Sequence, residues 1–309
     1  MSEIKTVAIL GATGPLGRAL IPALLQNGFI VTIISRPVGK PVSDLPREIT
    51  VKKSEYTDVA SLTIALEGQD ALVEAFNPAA AIHQGPILEA ALAAGVRHIV
   101  TPDFSSDTFN PNIHEALVFE NKLKAQVALE TVVAANPDKL SWTAIIVGPW
   151  YDWLIEKDLF WVNKHTKTIT RVGSGDQKVS VSRQGVCGEA LVAVLQSPAK
   201  YHNRPAYFAS HTVSTNEFTS IILDHLGLEN YNVVHVPLEE LSVQAQGLWN
   251  EDTANGVVNR LATQAYPLLV MVALMNEDNR YETDFSHKVE AGWEESNEAL
   301  TENLRRILG

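Results

Sequence analysis

The sequence KTVAILGATGPLG, residues 5–17, decides the fold of the chain. Its apolar run, residues 7–10, predicts a buried strand that ends on Gly11, and two more glycines follow at Gly14 and Gly17. The first can make a tight turn off the strand, the second lets a ligand approach the backbone, and the third lets a helix pack against the sheet. The N-terminus of that helix offers N–H groups and a positive dipole end, which suit a pyrophosphate. The alternative is a tight turn that binds nothing.

The first half of the chain alternates short β-branched runs with helical patterns. Strands rich in Ile and Val that alternate with helices predict a parallel sheet covered on both faces. The predicted fold class is therefore α/β, a Rossmann-type doubly wound parallel sheet. The predicted strands are residues 7–10, 30–35, 49–53, 72–76, 98–101 and 142–147, and the predicted helices are residues 16–27, 61–66, 84–94 and 113–135.

The second half loses this alternation. Residues 150–178 look aromatic and irregular, residues 185–195 helical, and residues 206–210 form a strand that we expect to return to the sheet. From about residue 212 onward, helices mix with a strand near residues 232–236. We predict an NADP-binding Rossmann domain of residues 1–149 plus about 181–210, and a smaller C-terminal α+β substrate-binding lobe of about 150–180 and 211–309.

Composition limits the partners. The 309 residues are 46% hydrophobic and carry a formal net charge of -12, which disfavours nucleic acid or an anionic membrane as a general partner. The single cysteine, Cys187, excludes an intrachain disulfide and a cysteine-rich metal site, and the nine histidines show no metal-ligand spacing. The first ten residues lack a secretory signal, and the longest apolar run, around residues 266–275, is too short to span a bilayer. We expect a cytoplasmic, globular monomer or homodimer.

The end of the second predicted strand bears on the choice of cofactor. Enzymes built for NAD usually place a carboxylate there for the ribose 2′-hydroxyl, but this chain has Arg36 there and no acidic residue between Arg36 and Asp44. A guanidinium can bind a 2′-phosphate through two hydrogen bonds. The alternative is an ordinary surface arginine. We therefore predict NADPH rather than NADH.

The chain lacks the catalytic pair that is commonest on this fold, a tyrosine four residues before a lysine. Val118 stands four residues before Lys122. Lys122 lies on an otherwise apolar helical stripe, and burial there would lower the pKa of its ammonium group enough for proton transfer near neutral pH. Lys124 is the alternative, because the two side chains point about 200° apart on a helix. The stripe also contains Val118, Ala125, Leu129 and Val132.

An aromatic cluster follows the sixth predicted strand. Ligands of open α/β sheets bind outside the carboxyl ends of the strands, and aromatic walls suit a flat organic molecule. The alternative is that the rings only pack within the protein. The predicted substrate-binding residues are Phe104, Trp150, Tyr151, Trp153, Phe160 and Trp161. The predicted cofactor-binding residues are Gly11, Thr13, Gly14, Pro15, Leu16, Gly17, Arg36, Phe76, Asn77 and Lys122.

The chain resembles the isoflavone reductase-like and NmrA-like branch of the atypical short-chain dehydrogenases. Within that branch it is similar to the members that act in fungal secondary metabolism. The resemblance covers most of the chain. It rests on GATGPLG, the Ser35-Arg36 pair, Gln84 leading into AALAAGVRHIV, TPDFSSD, Phe119-x-x-Lys122, LSWTAIIVGPWYDW, NRPAYFAS and VSTNEF.

The resemblance implies NADPH-dependent reduction of an aromatic or conjugated metabolite, and its F-x-x-K motif falls on Lys122. The family's Pro-Ser-Glu-Phe-Gly stretch reads TPDFS here, at residues 101–105. Some relatives in this branch bind dinucleotides for regulation without turnover. A regulatory NADP(H) sensor and a non-redox enzyme on the same fold are therefore the alternatives to a reductase in which Lys122 is the general acid or base.

Overall fold

The computed structural model describes residues 3–38, 46–159 and 161–309. Among the predicted site residues, Phe160 lies outside these ranges. The chain divides into two compact units. The first consists of Met1–Phe104, Asn121–Ile145 and Cys187–Ala206, and the second of Ser105–Glu120, Ile146–Val186 and Tyr207–Gly309.

The first half of the chain follows the predicted alternation. Its elements are β1 (Thr6–Leu10), α1 (Pro15–Gln26), β2 (Ile30–Ser35), β3 (Thr50–Lys53), α2 (Val59–Leu66), β4 (Ala71–Glu74), α3 (Gln84–Ala93), β5 (His98–Val100), α4 (Glu120–Ala135) and β6 (Ser141–Ile146). The predicted strands and helices are confirmed within two residues, apart from the start of α4.

The second half mixes helices with short strands. They are α5 (Tyr151–Glu156), β7 (Val162–Asn163), β8 (Thr168–Val172), β9 (Lys178–Val181), α6 (Gly185–Gln196), β10 (Arg204–Tyr207), β11 (His211–Ser214), α7 (Thr215–Ser220), β12 (Asn232–Val236), α8 (Leu238–Ala254), α9 (Ala265–Leu274) and α10 (Asn297–Leu308).

Seven strands form one sheet in the order β10-β6-β5-β4-β1-β2-β3. β1 pairs in parallel with β2 on one side and with β4 on the other, and β3, β5 and β6 extend the parallel pairing outward. β10 lies beside β6, so the predicted return of a late strand to the sheet is confirmed. The strand order reverses at β1, and in open α/β sheets such a switch point is where ligands bind, at the carboxyl ends of the strands.

Burial explains why these segments become strands and helices. Val7 through Leu10 are all buried, as a central strand of a parallel sheet requires. Helix α1 buries Leu16, Leu20 and Leu24 at helical spacing. The flanking helices also pack on one another: α2 against α3, and α6 against α1, where Gly188 faces Ala19 and Ala23.

Two predicted segments are wrong in detail. The helix predicted for residues 113–135 begins only at Glu120, because two short 3-10 turns, Ile113–Glu115 and Leu117–Phe119, precede it. The segment 150–178, predicted to be irregular, contains α5, β7 and β8. α5 is too short to display a helical pattern, since only Tyr151 and Ile155, one turn apart, are buried.

The second unit has a core of its own. It contains an antiparallel pair of strands, β9 and β11, and a three-stranded sheet in the order β12-β8-β7. Tyr151, Trp161 and Phe218 are large buried residues of its core, to which α10 adds Leu300 and Leu304. A capping box between Ser214 and Glu217 begins α7.

None of the helices within the described ranges is both long enough and apolar enough to cross a membrane.

The contact between α6 and α1 yields a stability prediction. A Cβ atom on Gly188 would lie 2.7 Å from Ala23 Cβ and 3.0 Å from the Ala19 carbonyl oxygen, so the helices must move apart in Gly188→Ala. Overpacking of this kind costs about 1–3 kcal/mol. Urea unfolding should therefore show a lower free energy of unfolding for Gly188→Ala.

Gly85→Ala is the matched control in the same unit. Gly85 lies in α3, and a Cβ atom there meets nothing within 4 Å. Because alanine is the better helix former, the control should keep the free energy of unfolding or raise it by up to about 1 kcal/mol. Equal losses in the two variants would contradict close packing of α6 on α1.

Candidate functional site

The glycine turn after β1 is held by two close backbone approaches. Gly11 has φ +82, and a Cβ atom there would lie 2.5 Å from the Ala75 carbonyl oxygen, in the chain that leaves β4. A Cβ atom on Gly17 would lie 2.7 Å from the Ala12 carbonyl oxygen, under the first turn of α1. The protein's own packing therefore requires glycine at Gly11 and Gly17.

Gly14 differs from these two glycines, because no close contact within the described residues requires glycine at that position. A Cβ atom there would meet only the Gly11 carbonyl oxygen, at 3.4 Å, an ordinary contact. Gly14 is the N-cap of α1 and has no side chain to accept from the N–H groups of the first turn, and that turn holds no acidic residue. This open, uncapped helix start fits a phosphate group, whose oxygens can accept from those N–H groups.

The remaining turn residues differ in exposure. Thr13 is half-buried, Pro15 is exposed and Leu16 is buried. Arg18 is an addition that the sequence analysis missed. Its Nε donates to the Thr13 carbonyl oxygen at 3.3 Å, which fixes a cation beside the turn. Its position directly after Gly17 is the sequence feature that could have indicated a cation beside the turn.

Arg36 follows β2 and is exposed. Among the described residues, no carboxylate pairs with its guanidinium. The β2 end is fixed by a hydrogen bond from the Ser54 N–H group to the Ser35 carbonyl oxygen, 3.1 Å long. The geometry leaves Arg36 able to bind an anion.

Tyr56, which sequence reasoning also missed, brings several site residues together. Its ring is buried 5.8 Å from the Phe76 ring, and its phenol lies close to the Gly11 backbone. Burial raises the pKa of Tyr56 to about 12, although the nearby Arg36 charge acts in the opposite direction. Tyr56 therefore stays neutral and lies near both Arg36 and the glycine turn. No motif signals it, since it lies three residues beyond a short edge strand.

Phe76 and Asn77 follow β4 directly. Phe76 is buried beside the glycine turn, because the Gly11 position lies against the Phe76 backbone. Asn77 is exposed, and its Oδ1 accepts from the Ala80 N–H group at 3.3 Å to begin a 3-10 helix, Pro78–His83. The structure thus places Phe76 with Gly11, while Asn77 has a local capping role.

Helix α4 turns Lys122 inward and Lys124 outward. Only 7% of Lys122 is exposed, and its Nζ donates to the Asp103 carbonyl oxygen at 2.9 Å. Burial lowers the pKa of Lys122, and the negative charge of Asp103 opposes that shift. Asp103 is itself fixed by Thr101, whose hydroxyl donates to Asp103 Oδ2 at 2.5 Å. A buried ammonium group with a lowered pKa can donate a proton.

The buried stripe of α4 consists of Lys122, Ala125, Leu129 and Val133. Val133 replaces the predicted Val132, which is half-buried. Lys122 is thus the one cationic member of an otherwise apolar buried face.

The predicted substrate residues fall into two groups. Phe104 is fully buried with φ +39, and Tyr151 and Trp161 pack on Phe218 in the core of the second unit, at ring distances of 6.0 and 5.3 Å. Trp150 and Trp153 are half-buried and meet edge to face at 6.0 Å. The tryptophan pair therefore retains aromatic surface that a ligand could contact, whereas the other three rings are used in packing.

Glu74 ends β4 and escaped the sequence analysis because it lies in an apolar run. It is fully buried and accepts from Gln84 Nε2 at 3.0 Å. Burial raises the pKa of Glu74 to about 8, and the nearby Asp103 charge adds to this shift. Within the described ranges, no three His, Cys, Asp or Glu side chains are grouped to hold a metal ion.

Known proteins resemble this chain in sequence and in fold. The chain is 30% identical over 236 residues to "Oxidoreductase aprR" of Aspergillus flavus, covering 76% of this chain and 78% of the relative. A leucoanthocyanidin reductase–NADPH complex from Vitis vinifera superposes with a TM-score of 0.70 at 14% identity, covering 98% and 99% of the two chains. An isoflavone reductase structure gives a TM-score of 0.68 at 15% identity, covering 99% of each chain.

At such low identity, the two superpositions concern the fold. The family assignment rests on the sequence, because the sequence model of the NmrA-like family matches residues 3–295. Together with the fungal relative, this match confirms the predicted resemblance: the chain belongs to the NmrA-like family.

Proposed function

We propose that the chain is an NADPH-dependent reductase of a small aromatic or conjugated substrate. The observation that carries the proposal is the open helix start at Gly14, followed by an exposed arginine at the end of the next strand. The protein's own packing does not require glycine at Gly14, whereas a bound phosphate does. Two comparisons support the proposal: the fungal relative is named an oxidoreductase, and the Vitis vinifera leucoanthocyanidin reductase structure is a complex with NADPH.

The residues present fit the cofactor. The backbone of Gly11 through Gly17 would hold the pyrophosphate, with Arg18 adding positive charge beside it. Arg36 would bind the 2′-phosphate, and the neutral Tyr56 would support the pocket between Arg36 and the turn. Phe76 would line the side of the pocket that β4 provides. Bound NADPH supplies the hydride for reduction of an electrophilic carbon.

Lys122 would supply the proton. Its ammonium group is held in place by the Asp103 carbonyl oxygen, and burial lowers its pKa, which makes the proton easier to release. As the substrate is reduced, negative charge develops on an oxygen or carbon, and Lys122 Nζ can stabilise it and then protonate it. The neutral amine would regain its proton from solvent.

The substrate class rests on Trp150 and Trp153. Both side chains are half-buried, and they form an edge-to-face pair that offers apolar surface. A flat aromatic or conjugated molecule suits such a surface.

Arg36→Ala tests the choice of cofactor. A charge-assisted hydrogen bond contributes about 1.5–3 kcal/mol, so calorimetry should show NADPH binding weakened about 10–100-fold while NADH binding hardly changes. Arg306→Ala, which removes an exposed arginine from α10, is the matched control and should leave both affinities unchanged. If wild-type protein bound neither nucleotide, the reductase proposal would fail.

Lys122→Met tests the proton donor. Turnover of an aromatic or conjugated electrophile, followed as NADPH loss, should fall about 10²–10⁴-fold, much more than the affinity for NADPH changes. Lys124→Met, on the exposed face of the same helix, should retain turnover. Full activity of Lys122→Met would exclude the lysine mechanism and leave the cofactor proposal intact.

The pH dependence of kcat gives a separate test of Lys122. Because burial lowers the pKa of Lys122, the protonated donor is lost at a lower pH than for an ordinary lysine, and kcat should fall as the pH rises through that pKa. In Lys122→Arg the side chain stays charged throughout, so the alkaline fall should disappear from whatever activity remains. An unchanged alkaline limb in Lys122→Arg would assign the titration to another group.

A further inference from the structure

Two buried oxygens beside the glycine turn have no hydrogen-bond donor among the described residues. They are Glu74 Oε2 and Gln84 Oε1. Glu74 is fully buried and Gln84 is 3% exposed. The two residues are already partners, because Gln84 Nε2 donates to Glu74 Oε1 at 3.0 Å. An ionised glutamate would leave both oxygens unsatisfied in the interior, at a cost of about 1–3 kcal/mol or more each.

A single proton on Glu74 removes both defects. A neutral carboxylic acid has one O–H donor, and the acceptor that still lacks a donor belongs to the amide that Glu74 already contacts. The acid and the amide then form a reciprocal pair, each donating to the other.

The pair closes a short segment that touches the glycine turn. Glu74 is the last residue of β4, and Gln84 is the first residue of α3. The intervening residues 75–83 include Ala75 and Phe76, whose backbones lie against Gly11, and the 3-10 helix Pro78–His83. An interaction that fixes the two ends of this segment therefore also fixes the Ala75 and Phe76 backbone that contacts Gly11.

We propose that Glu74 is a positioning residue: it is held as a neutral acid that donates its proton to Gln84 Oε1, and this pair fixes residues 75–83 against the glycine turn. Its effect on nucleotide binding rests on the proposed function. The neutral state of Glu74 and the fixed position of residues 75–83 do not depend on the proposed function, so both can be tested on the nucleotide-free protein.

The charged and titratable groups around Glu74 favour the neutral form. Asp103, which follows β5, and Tyr56, which follows β3, both interact electrostatically with Glu74. Asp103 would repel a second negative charge, and Tyr56 stays neutral. Lys122 from α4 directs its ammonium group to the Asp103 carbonyl oxygen. The remaining partner, Gln84 from α3, is uncharged.

The pair also has a pH dependence of definite sign. Burial raises the pKa of Glu74 from 4.5 to about 8, so the folded protein holds a proton that the unfolded chain has released. The stability contributed by this group is complete below about 4.5 and is lost as the pH rises through about 8. Above that pH, ionised Glu74 repels Asp103 and loses its hydrogen bond to Gln84 Oε1.

Glu74→Gln is the informative variant. Its amide can accept from Gln84 Nε2 and donate to Gln84 Oε1, so it reproduces the neutral pair without a titrating proton. We expect Glu74→Gln to fold and to keep its stability as the pH rises, whereas wild-type protein loses stability. Glu89→Gln, on the exposed face of α3, is the matched control and should behave as wild type.

Two measurements on the nucleotide-free protein test the proposal. Infrared spectra at neutral pH should show the carbonyl band of a protonated carboxyl group, lost in Glu74→Gln and kept in Glu89→Gln. Amide hydrogen exchange of residues 75–83, corrected for intrinsic rates, should speed up in wild-type protein as the pH passes about 8, and should not do so in Glu74→Gln. Absence of the band, or the same exchange in both proteins, would overturn the proposal.

NADPH affinity then separates this proposal from the proposed function. If both hold, NADPH binding by wild-type protein weakens about tenfold for each pH unit above the pKa of Glu74, and Glu74→Gln lacks this loss. If the band and the exchange behave as expected but neither protein binds NADPH at any pH, the reductase proposal fails while the neutral pair stands. Equal pH dependence of binding in both proteins would overturn the effect on the nucleotide.

Discussion

The close approach of Gly11 to the chain leaving β4 is the constraint on which the rest of the site depends. A side chain at Gly11 would overlap the backbone of Ala75 and Phe76, and a side chain at Gly17 would overlap Ala12. These two contacts bring the glycine turn, β4 and the start of α1 to one edge of the sheet. Because the approach uses backbone atoms, no neighbouring rotamer can relieve a substitution. The position of the uncapped helix start follows from it.

The same edge contains groups whose charged forms are unfavourable. Lys122 and Glu74 are both buried, and burial shifts the pKa of each toward its neutral form, downward for the ammonium group and upward for the carboxyl group. A core made for stability alone would place apolar residues at both positions. Asp103 lies close to both, since its carbonyl oxygen accepts from Lys122 and its charge raises the pKa of Glu74.

Aromatic residues in the second unit show how one sequence feature serves two purposes. The short helix α5 turns Tyr151 into the core, while Trp150 and Trp153 keep part of their surface exposed. Trp161 joins Tyr151 on Phe218. The clustering of rings in the sequence therefore reflects packing for one group and available surface for the other, and only three-dimensional placement separates the two.

The sequence by itself determined the α/β class, the strands and helices of the first half and the glycine turn, because these depend on local periodicity and on backbone conformations that glycine favours. It also indicated the family, through motifs spread along the chain. It also indicated Lys122 through its apolar stripe. Tertiary structure decided the rest: the late start of α4, the orientation of Lys122 over Lys124, and the roles of Tyr56 and Glu74. Tyr56 and Glu74 gain their properties from burial and from partners distant in sequence, Gly11 for one and Asp103 for the other. No local pattern encodes such contacts, since desolvation acts on a side chain only after the sheet has assembled around it.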